Sequence, residues 1–501
     1  MKKSRAYEFS QPTRQSYAAI LLITYRLYKI LGRQLFPVLV IVLIEGKIAK
    51  SSMFIYSIIA IAVLAAIYSI AAFFKYYFYI KGQKLIVQKG VFKKSLVEIP
   101  FDRIQSINFE QNLIHRLFGV VKLNMDTAGS IGNELQLNAL DRNMARSLSE
   151  IILSSRSSKA KKSNNGETYQ EENNLTGIFR LTIAQLIKVG ITENHIRSGG
   201  VIIFFIFYLY ESFEEVGVNL IEKGEQYVPV AQQLTQSLIS IAILLILFAI
   251  IAFVISIVRT ILNYYDLKMY RKAGGFVIVS GLLNKKEKAA KDTKIQVIKS
   301  SQNLLQKMGG IYELMMQQAS SVAVSESKSI KVVGLSAHNV RQTHKYILKD
   351  NFELAEQLPL QKVNKYYLIR RLVYSAVFAT AVCGICILSY RFDYLLIAAL
   401  LSMLAFSGSY LSYKKKQYGI SESLIKITGG VFGHTTTLIE SFKIQSLQLK
   451  STIFQRRRGL ASLVLNTASG SVRIPDITNE ECVRLMNYLA AVVEGSKKHW
   501  M

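Results

Sequence analysis

Cysteine is scarce in this sequence. Only three cysteines occur in 501 residues, which excludes a disulfide framework and indicates that the polar parts of the chain face a reducing compartment. Cys383 and Cys386 form a CxxC pair, but they lie inside an apolar segment. A redox-active pair needs an exposed helix start, so we expect two unreactive thiols.

Acidic residues are also few, at 33 against 62 Lys and Arg, which gives a formal net charge of +29. In a soluble protein this charge would suggest nucleic-acid binding. Here half of the residues are apolar, and the basic residues are scattered at the boundaries of apolar segments, as is typical beside membrane spans. The sequence therefore predicts a membrane protein with no nucleic-acid partner. No cleavable signal pattern follows the first residues, because Arg26, Lys29 and Arg33 interrupt the next apolar stretch.

Charged residues are absent from four long stretches, residues 53–74, 234–258, 372–390 and 394–413. Each is long enough to cross the roughly 30 Å hydrocarbon core of a bilayer as a helix. Two shorter apolar stretches, near residues 34–50 and 198–214, precede the first two of these, just as 372–390 precedes 394–413. This repeated position predicts three helical hairpins and six membrane spans.

The distribution of basic residues predicts the orientation. Between the third and fourth predicted spans, Lys223 is the only basic residue. The other flanks carry Lys2, Lys3, Arg5, Arg14, Lys75, Lys81, Arg259, Arg370, Arg371, Lys414, Lys415 and Lys416. Since cytoplasmic flanks collect Lys and Arg, we expect both termini and all three large polar segments on the cytoplasmic side of the cell membrane.

The chain contains an internal repeat in three copies. Each copy has a glycine, an isoleucine 14 positions later and a second glycine 15 positions after that. The repeated residues are Gly90, Ile104 and Gly119, then Gly281, Ile295 and Gly310, then Gly430, Ile444 and Gly459. A tight turn or close backbone approach explains such glycines, and a role in ligand contact is the weaker alternative. A gap-free match over about 40 residues predicts three copies of one domain.

Each copy reads as short strands followed by a helix. Segments such as KLIVQKGVF, SLVEIPF and VVKLNMDT cluster β-branched and apolar residues between polar breaks, which predicts a small barrel or sandwich. A helix with an N-cap residue then closes each copy, and the expected caps are Asp141, Ser336 and Thr478. The fold class is therefore α+β, with three hairpins alternating with three small β domains.

A two-helix hairpin followed by GVFKKSLVEIPFDRIQSINFEQNLIHRLFGVVKLNMDTAG resembles the bacterial pleckstrin-homology-like (PH-like) membrane proteins of the YdbS/YdbT type. The resemblance covers nearly the whole chain, and it implies a PH-like barrel closed by a C-terminal helix in each copy. It implies membrane placement but no reaction. Copy two departs from the pattern, because NKKEKAAKDTKIQV replaces the apolar strand with a charged run, so we expect an altered barrel or a specialised surface there.

These observations predict the following order along the chain. It comprises an N-terminal segment and first hairpin at 1–74, the first PH-like domain at 75–153, a flexible linker at 154–174, an interfacial helix and second hairpin at 175–263, the second PH-like domain at 264–350, the third hairpin at 351–412, and the third PH-like domain at 413–501. In the interfacial helix, Leu181, Leu186, Ile187 and Ile191 are expected to share one apolar face.

Two basic clusters are candidate contacts. Arg456, Arg457 and Arg458 are expected to bind anionic lipid head groups or an acidic partner, since each basic residue near an anionic leaflet contributes about 1 kcal/mol. The alternative is a solvated face that favours solubility. The lysine run at 285–291 is more simply a solvated face.

No catalytic motif, cofactor site or metal-ligand spacing is present in the sequence. We therefore expect no enzyme, but a membrane scaffold or binding protein whose PH-like domains engage lipid head groups, a protein partner or one another, with homo-oligomers included. The alternative is a transport or efflux component in which the domains form a cytoplasmic gate. A transport path needs polar residues between the spans, whereas a scaffold can pack its helices with Gly, Ala and Ser. An enzyme acting on lipids would need a site that the sequence does not reveal.

Overall fold

The computed structural model describes residues 9–45, 52–127, 135–161, 176–193, 238–272, 274–319, 329–388 and 395–496. The chain divides into two compact units. The first comprises Met1–Glu172, Asn194–Asn263 and Val279–Lys288, and the second comprises Asn173–Glu193, Tyr264–Ile278 and Ala289–Met501.

Helices and strands alternate as the repeat predicts. The helices are α1 Ala18–Glu45, α2 Ser52–Phe74, α3 Leu113–Leu117, α4 Arg142–Lys161, α5 Ile183–Thr192, α6 Leu238–Tyr264, α7 Leu304–Met308, α8 Ala337–Leu348, α9 Asn351–Gln357, α10 Tyr366–Leu388, α11 Leu395–Lys415, α12 Ile453–Arg456 and α13 Asn479–Gly495.

The strands before the third hairpin are β1 Thr13–Arg14, β2 Tyr77–Lys81, β3 Lys84–Lys89, β4 Ser95–Pro100, β5 Ile104–Gln111, β6 Val120–Thr127, β7 Leu135–Asp141, β8 Thr176–Arg180, β9 Lys268–Lys272, β10 Gly275–Ser280, β11 Lys285–Lys291, β12 Ile295–Gln302, β13 Tyr312–Gln318, β14 Ser329–Leu335 and β15 Gln361–Lys362. The last six strands are β16 Gln417–Ile420, β17 Leu424–Gly429, β18 His434–Glu440, β19 Ile444–Lys450, β20 Leu460–Thr467 and β21 Gly470–Thr478.

Each predicted hairpin segment is flanked by two strands that pair with each other. A short strand precedes the segment and lies antiparallel to the first strand after it, in the pairs β1 with β2, β8 with β9, and β15 with β16. The hairpin segments are therefore insertions within the sheets, and both ends of each segment are fixed to the same β domain.

In the first unit, one sheet has the order β1-β2-β3-β4, while β7, β6 and β5 pair in sequence. Their inward side chains form a core with helix α4, whose Ala145, Leu148 and Ile152 are completely buried at helical spacing. A smaller cluster, including Ala19, Phe73 and Ala139, packs the base of the first hairpin against this domain.

In the second unit, a seven-stranded sheet has the order β14-β13-β12-β18-β17-β16-β15, and a three-stranded sheet has the order β19-β20-β21. Helix α13 covers the core of the third domain with Cys482 and Leu489. Helix α8 likewise buries Val340 and Ile347. These helices occupy the predicted closing positions, and closure of the strands into barrels stays a prediction.

The predicted caps are confirmed. Ser336 accepts a hydrogen bond from the backbone N–H of Asn339, and Thr478 accepts one from Glu481. Asp141 accepts one from the backbone N–H of Asn143 at 2.9 Å.

Four of the six predicted spans coincide with helices long and apolar enough to cross a membrane, Tyr56–Phe74, Ile246–Tyr264, Tyr366–Leu388 and Leu395–Lys415. The first predicted span, 34–50, overlaps the end of α1, whose earlier part carries Arg26, Lys29 and Arg33. The third, 198–214, lies outside the described residues, so both remain predictions.

Two segments differ from the sequence prediction. Helix α4 continues to Lys161, into the predicted linker at 154–174. The predicted interfacial helix is α5, but its apolar residues divide between two faces: Leu181 (just before the helix) and Leu186 are buried, whereas Ile187 and Ile191 are exposed.

Candidate membrane-contact surface

The first repeated glycine of each copy forms a sharp turn that only glycine accommodates well. Gly90, Gly281 and Gly430 have φ values of +115°, +111° and +119°. A Cβ on Gly90 would lie 1.9 Å from the carbonyl oxygen of Lys93. Both the positive φ and the close backbone approach therefore require glycine here, which confirms the structural interpretation of the repeat.

This turn places two apolar residues beside the last helix of the preceding hairpin. We call them the tip of each domain: Val91–Phe92, Leu282–Leu283 and Val431–Phe432. Phe92 stacks on Tyr68 of α2 with ring centroids 6.3 Å apart, and the backbone N–H of Leu282 donates to the carbonyl of Leu262 in α6 at 2.9 Å.

The tip of the third domain contacts α11. A Cβ on Gly408 would lie 3.2 Å from Cγ1 of Val431. The Nζ of Lys415 donates to the carbonyls of Val431, Phe432 and Gly433 at 2.8, 3.0 and 2.7 Å. The tips are therefore in direct contact with the ends of the predicted spans that adjoin the β domains.

A second group of exposed apolar residues comes from the short helices α3, α7 and α12. Their N-caps are Asn112, Asn303 and Thr452, and the second repeated glycines, Gly119, Gly310 and Gly459, follow in a left-handed conformation with φ near +65°. Exposed side chains on or beside these helices include Leu113, Leu117, Leu304, Met308, Ile453 and Phe454. Of these, Met308 is 80% and Leu117 is 79% exposed. Apolar patches of this kind mark membrane or protein contacts.

Arg456, Arg457 and Arg458 follow Phe454 after the buried Gln455, and all three are exposed. The guanidinium of Arg458 lies 4.7 Å from the ring centroid of Tyr366, the first residue of α10. The arginine cluster is thus located beside the start of a predicted span, next to exposed apolar side chains.

The repeated isoleucines have a different role. Ile104, Ile295 and Ile444 are 1%, 1% and 3% exposed, so all three belong to the hydrophobic core. Each is the first residue of a strand, β5, β12 or β19, and is not available to a ligand.

Small and hydroxyl-bearing residues lie at the contact between α10 and α11. Ser375 and Ser409 are hydrogen-bonded through their Oγ atoms at 2.8 Å, and the hydroxyls of Tyr367 and Ser412 are 3.2 Å apart. Ala398 and Gly408 are buried in the same helix as Ser409. Small side chains thus let these two helices approach closely, and their hydroxyl groups hydrogen-bond to one another across the contact.

Neighbouring repeats are joined by strand pairing, a feature that the sequence reasoning missed. Strand β5 of the first repeat pairs with β11, so that Phe109 faces Glu287. Strand β12 of the second repeat pairs with β18, so that Ser300 faces Thr436. We call these pairings the first and second junctions.

The two junctions have the same register. In both, the residue 19 positions after the first glycine of one repeat faces the residue six positions after the first glycine of the next. The Nδ2 of Asn284 donates to Oε1 of Glu110 at 2.8 Å in the first junction, and the buried Nζ of Lys443 donates to the carbonyl of Ile295 at 2.6 Å in the second. The first residues of the charged run of copy two, Lys285 to Glu287, thus pair through their backbone in the first junction, while Lys285 and Glu287 keep exposed side chains.

Within the described ranges, no group of three or more His, Cys, Asp or Glu side chains comes close enough to hold a metal ion. The cysteines there are free thiols: Cys383 and Cys386 are half-buried in α10, and Cys482 is buried.

The repeated hairpin and β domain define a class of membrane protein. The family model of the bacterial PH domain matches the chain three times, over residues 33–156, 227–351 and 373–493. These matches cover more than half of the sequence, and the chain belongs to the bacterial PH domain family. It is similar to the UPF0699 transmembrane protein YdbT of Bacillus subtilis (strain 168), with 23% identity over 465 residues that cover 88% of this chain and 89% of YdbT. The family resemblance inferred from the repeated motifs is confirmed.

Proposed function

We propose that this protein is a polytopic membrane scaffold whose PH domains associate edge to edge, both within one chain and between chains, on the cytoplasmic face of the cell membrane. The observation that carries the proposal is the equal register of the two junctions. The same pairing occurs twice with the same offset, so we attribute it to the domain itself. Each repeat carries both strands that the pairing needs, one at the position of β5 and one at the position of β11.

One strand of each type has an outer edge with no neighbour among the described strands. Strand β4 ends the sheet of the first repeat, and β19 ends the sheet of the third. Strand β4 corresponds to β11 and β18, while β19 corresponds to β5 and β12. On β4, Leu96 is 58% exposed, an apolar residue on an open sheet edge.

Applying the common register to these edges pairs β19 of one chain with β4 of another. Leu449 would then face Leu96, and Lys450 would face Ser95, in the places of Phe109 with Glu287 and of Glu110 with Lys286. Such a contact is head-to-tail, so it generates a ring where the rotation closes and a row of domains where it does not.

Crosslinking in membranes tests this pairing. In a background of Cys383→Ser, Cys386→Ser and Cys482→Ala, we expect the double variant Ser95→Cys/Lys450→Cys to form a dimer and larger species on oxidation. The control Ser95→Cys/Glu480→Cys places the second thiol on exposed helix α13, away from the β19 edge, and is expected to stay monomeric. Equal yields from both variants, or monomer alone from both, would refute the edge-to-edge assembly.

The strand pairs around the hairpin segments support the proposed sidedness. Because β1 pairs with β2, β8 with β9 and β15 with β16, both ends of each segment lie on one side of the bilayer, which fits an even number of crossings. The bias of Lys and Arg assigns that side to the cytoplasm.

The arginine cluster supports contact of the third domain with the membrane surface. Ile453 and Phe454 are each 67% exposed beside Arg456–Arg458, a combination suited to the boundary between head groups and acyl chains. We propose that this surface holds the domain against an anionic leaflet. The proposal assigns the protein no catalytic role.

A further inference from the structure

A cavity of about 360 Å³ lies between α10 and α11, next to the tip of the third domain. Tyr374, Ser375 and Phe378 line it from α10, Leu404 and Gly408 line it from α11, and Phe432 borders it. Arg371 is the only charged residue in its lining. The volume is within the range of about 300–1,000 Å³ for pockets that bind small molecules.

The two adjacent arginines of α10 have different surroundings. Arg370 forms an ion pair with Asp476, with Nη2 and Oδ2 2.8 Å apart. Arg371 has no carboxylate partner among the described residues, and its Nε is buried without a hydrogen bond there. Its guanidinium lies 5.8 Å from the ring centroid of Tyr367. A buried N–H of a guanidinium is costly to leave unpaired, so this position favours an anionic ligand.

The serine hydroxyls of the cavity cannot substitute for that ligand. Ser375 Oγ is engaged with Ser409 Oγ at 2.8 Å and with the carbonyls of Arg371 and Ala405 at 3.1 Å. The polar groups deep in the cleft therefore satisfy one another. Arg371 is therefore the residue of the cavity lining that can pair with an anion.

Apart from the hydroxyl of Tyr374, the rest of the cavity is apolar and faces the bilayer. Tyr374 is 66%, Phe378 46% and Leu404 48% exposed, although they lie on predicted spans. Arg371 and Phe378 are seven residues apart, which corresponds to about 10 Å along a helix. A charge at the cytoplasmic end and an apolar groove that descends from it match a phosphate with an alkyl chain.

We propose that this cleft binds an anionic phospholipid of the leaflet next to the β domains. Its phosphate contacts Arg371, and the first part of one acyl chain lies between Phe378 and Leu404. Val431 and Phe432 close the cleft on the side of the β domain. The site thus couples lipid occupancy to the position of a domain tip that is fixed by Lys415. This site does not depend on the edge-to-edge assembly.

Native mass spectrometry of the full chain in detergent tests the site. With added phosphatidylglycerol, we expect Arg371→Gln to reduce the bound lipid about tenfold, because the variant loses a hydrogen bond between two charged groups. The matched control is Arg259→Gln, which removes the same charge from an exposed position near the end of α6 and should leave binding unchanged.

A second variant keeps the test valid if Arg371→Gln is unstable. Ala405→Phe fills the cleft without changing charge, and we expect the same loss of phosphatidylglycerol. Phosphatidylcholine should bind at least tenfold more weakly than phosphatidylglycerol, and glycerol phosphate alone should not bind. Equal losses from Arg371→Gln and Arg259→Gln, no loss from Ala405→Phe, or binding of glycerol phosphate alone would each overturn the proposal.

Discussion

Arg370 of the third hairpin forms an ion pair with Asp476 of strand β21, and the side chain of Asp476 is completely buried. Gln455 Nε2 donates to the same carboxylate at 2.5 Å through Oδ1. The backbone carbonyl of Asp476 also accepts from the N–H of Asn364, just before α10, at 2.9 Å. The helix and the β domain are therefore held together by one buried acidic residue.

This arrangement predicts a clear difference between two neighbouring arginines. Arg370→Ala leaves the Asp476 carboxylate buried without its cation, and we expect a loss of about 3–5 kcal/mol in the stability of the third domain. Arg371→Ala removes no ion pair and should cost much less in lipid-free detergent. Thermal unfolding of the two variants measures the difference, and equal destabilisation would contradict it.

The second junction contains a buried charge whose energy can be measured by a double-mutant cycle. Lys443 is 3% exposed and pairs with Glu440 at 2.5 Å while it donates to Ile295. We expect Lys443→Met to destabilise by about 3 kcal/mol, because Glu440 loses its partner. Adding Glu440→Gln should restore part of that loss. Strictly additive effects would show that the pair does not stabilise the junction.

The two kinds of repeated glycine should respond differently to the same substitution. Gly90→Asn introduces a Cβ at 1.9 Å from a backbone oxygen in a conformation that L-residues rarely adopt, and we expect a cost of at least about 2–3 kcal/mol. Gly119 has a φ of +66° and open space around a Cβ, so Gly119→Asn should cost under about 1 kcal/mol. Chemical denaturation of the two variants compares them directly.

His344 makes the second domain sensitive to acid. Burial, and to a smaller extent the nearby Lys426, lower the pKa of this histidine from 6.5 to about 4, while Glu356 opposes the shift. The unfolded chain therefore binds more protons between these values, so stability is complete above pH 6.5 and is lost as the pH falls towards 4. The total is about 3 kcal/mol.

Unfolding of the full chain at pH 7.5 and pH 5 measures this loss. His344→Gln should reduce the difference in stability between the two pH values. An unchanged difference would assign the acid sensitivity to other groups.

The orientation can be tested with an impermeant maleimide on intact cells. In the cysteine-free background, Gln226→Cys lies in the loop predicted to be outside and should be labelled. Ser95→Cys, in a β domain, should be labelled only after the membrane is permeabilised. Labelling of Ser95→Cys in intact cells would reverse the proposed sidedness.

Much of the architecture could be predicted because it is encoded locally. The repeated isoleucines are core residues, the first glycines form the sharp turns, and Ser336 and Thr478 cap the helices, since each depends on neighbours in sequence. The four uncharged stretches likewise coincide with helices.

The junctions could not be predicted for a physical reason. Strand pairing is made by backbone groups, which every residue carries, so the side chains of Lys285 to Lys291 gave no sign of their partner strand. The roles of Arg370 and Arg371 also could not be separated in sequence, because only the folded chain places Asp476 beside the first and the cavity beside the second.

The insertion of each hairpin segment within a sheet has a consequence for biosynthesis. The opening strand leaves the ribosome before the hairpin segment, but its partner strand emerges only after the whole segment has been made. Each β domain can therefore complete its sheet only once the segment inserted in it has been synthesised. Completion of the sheet and synthesis of the membrane segment are thus ordered in time by the chain itself.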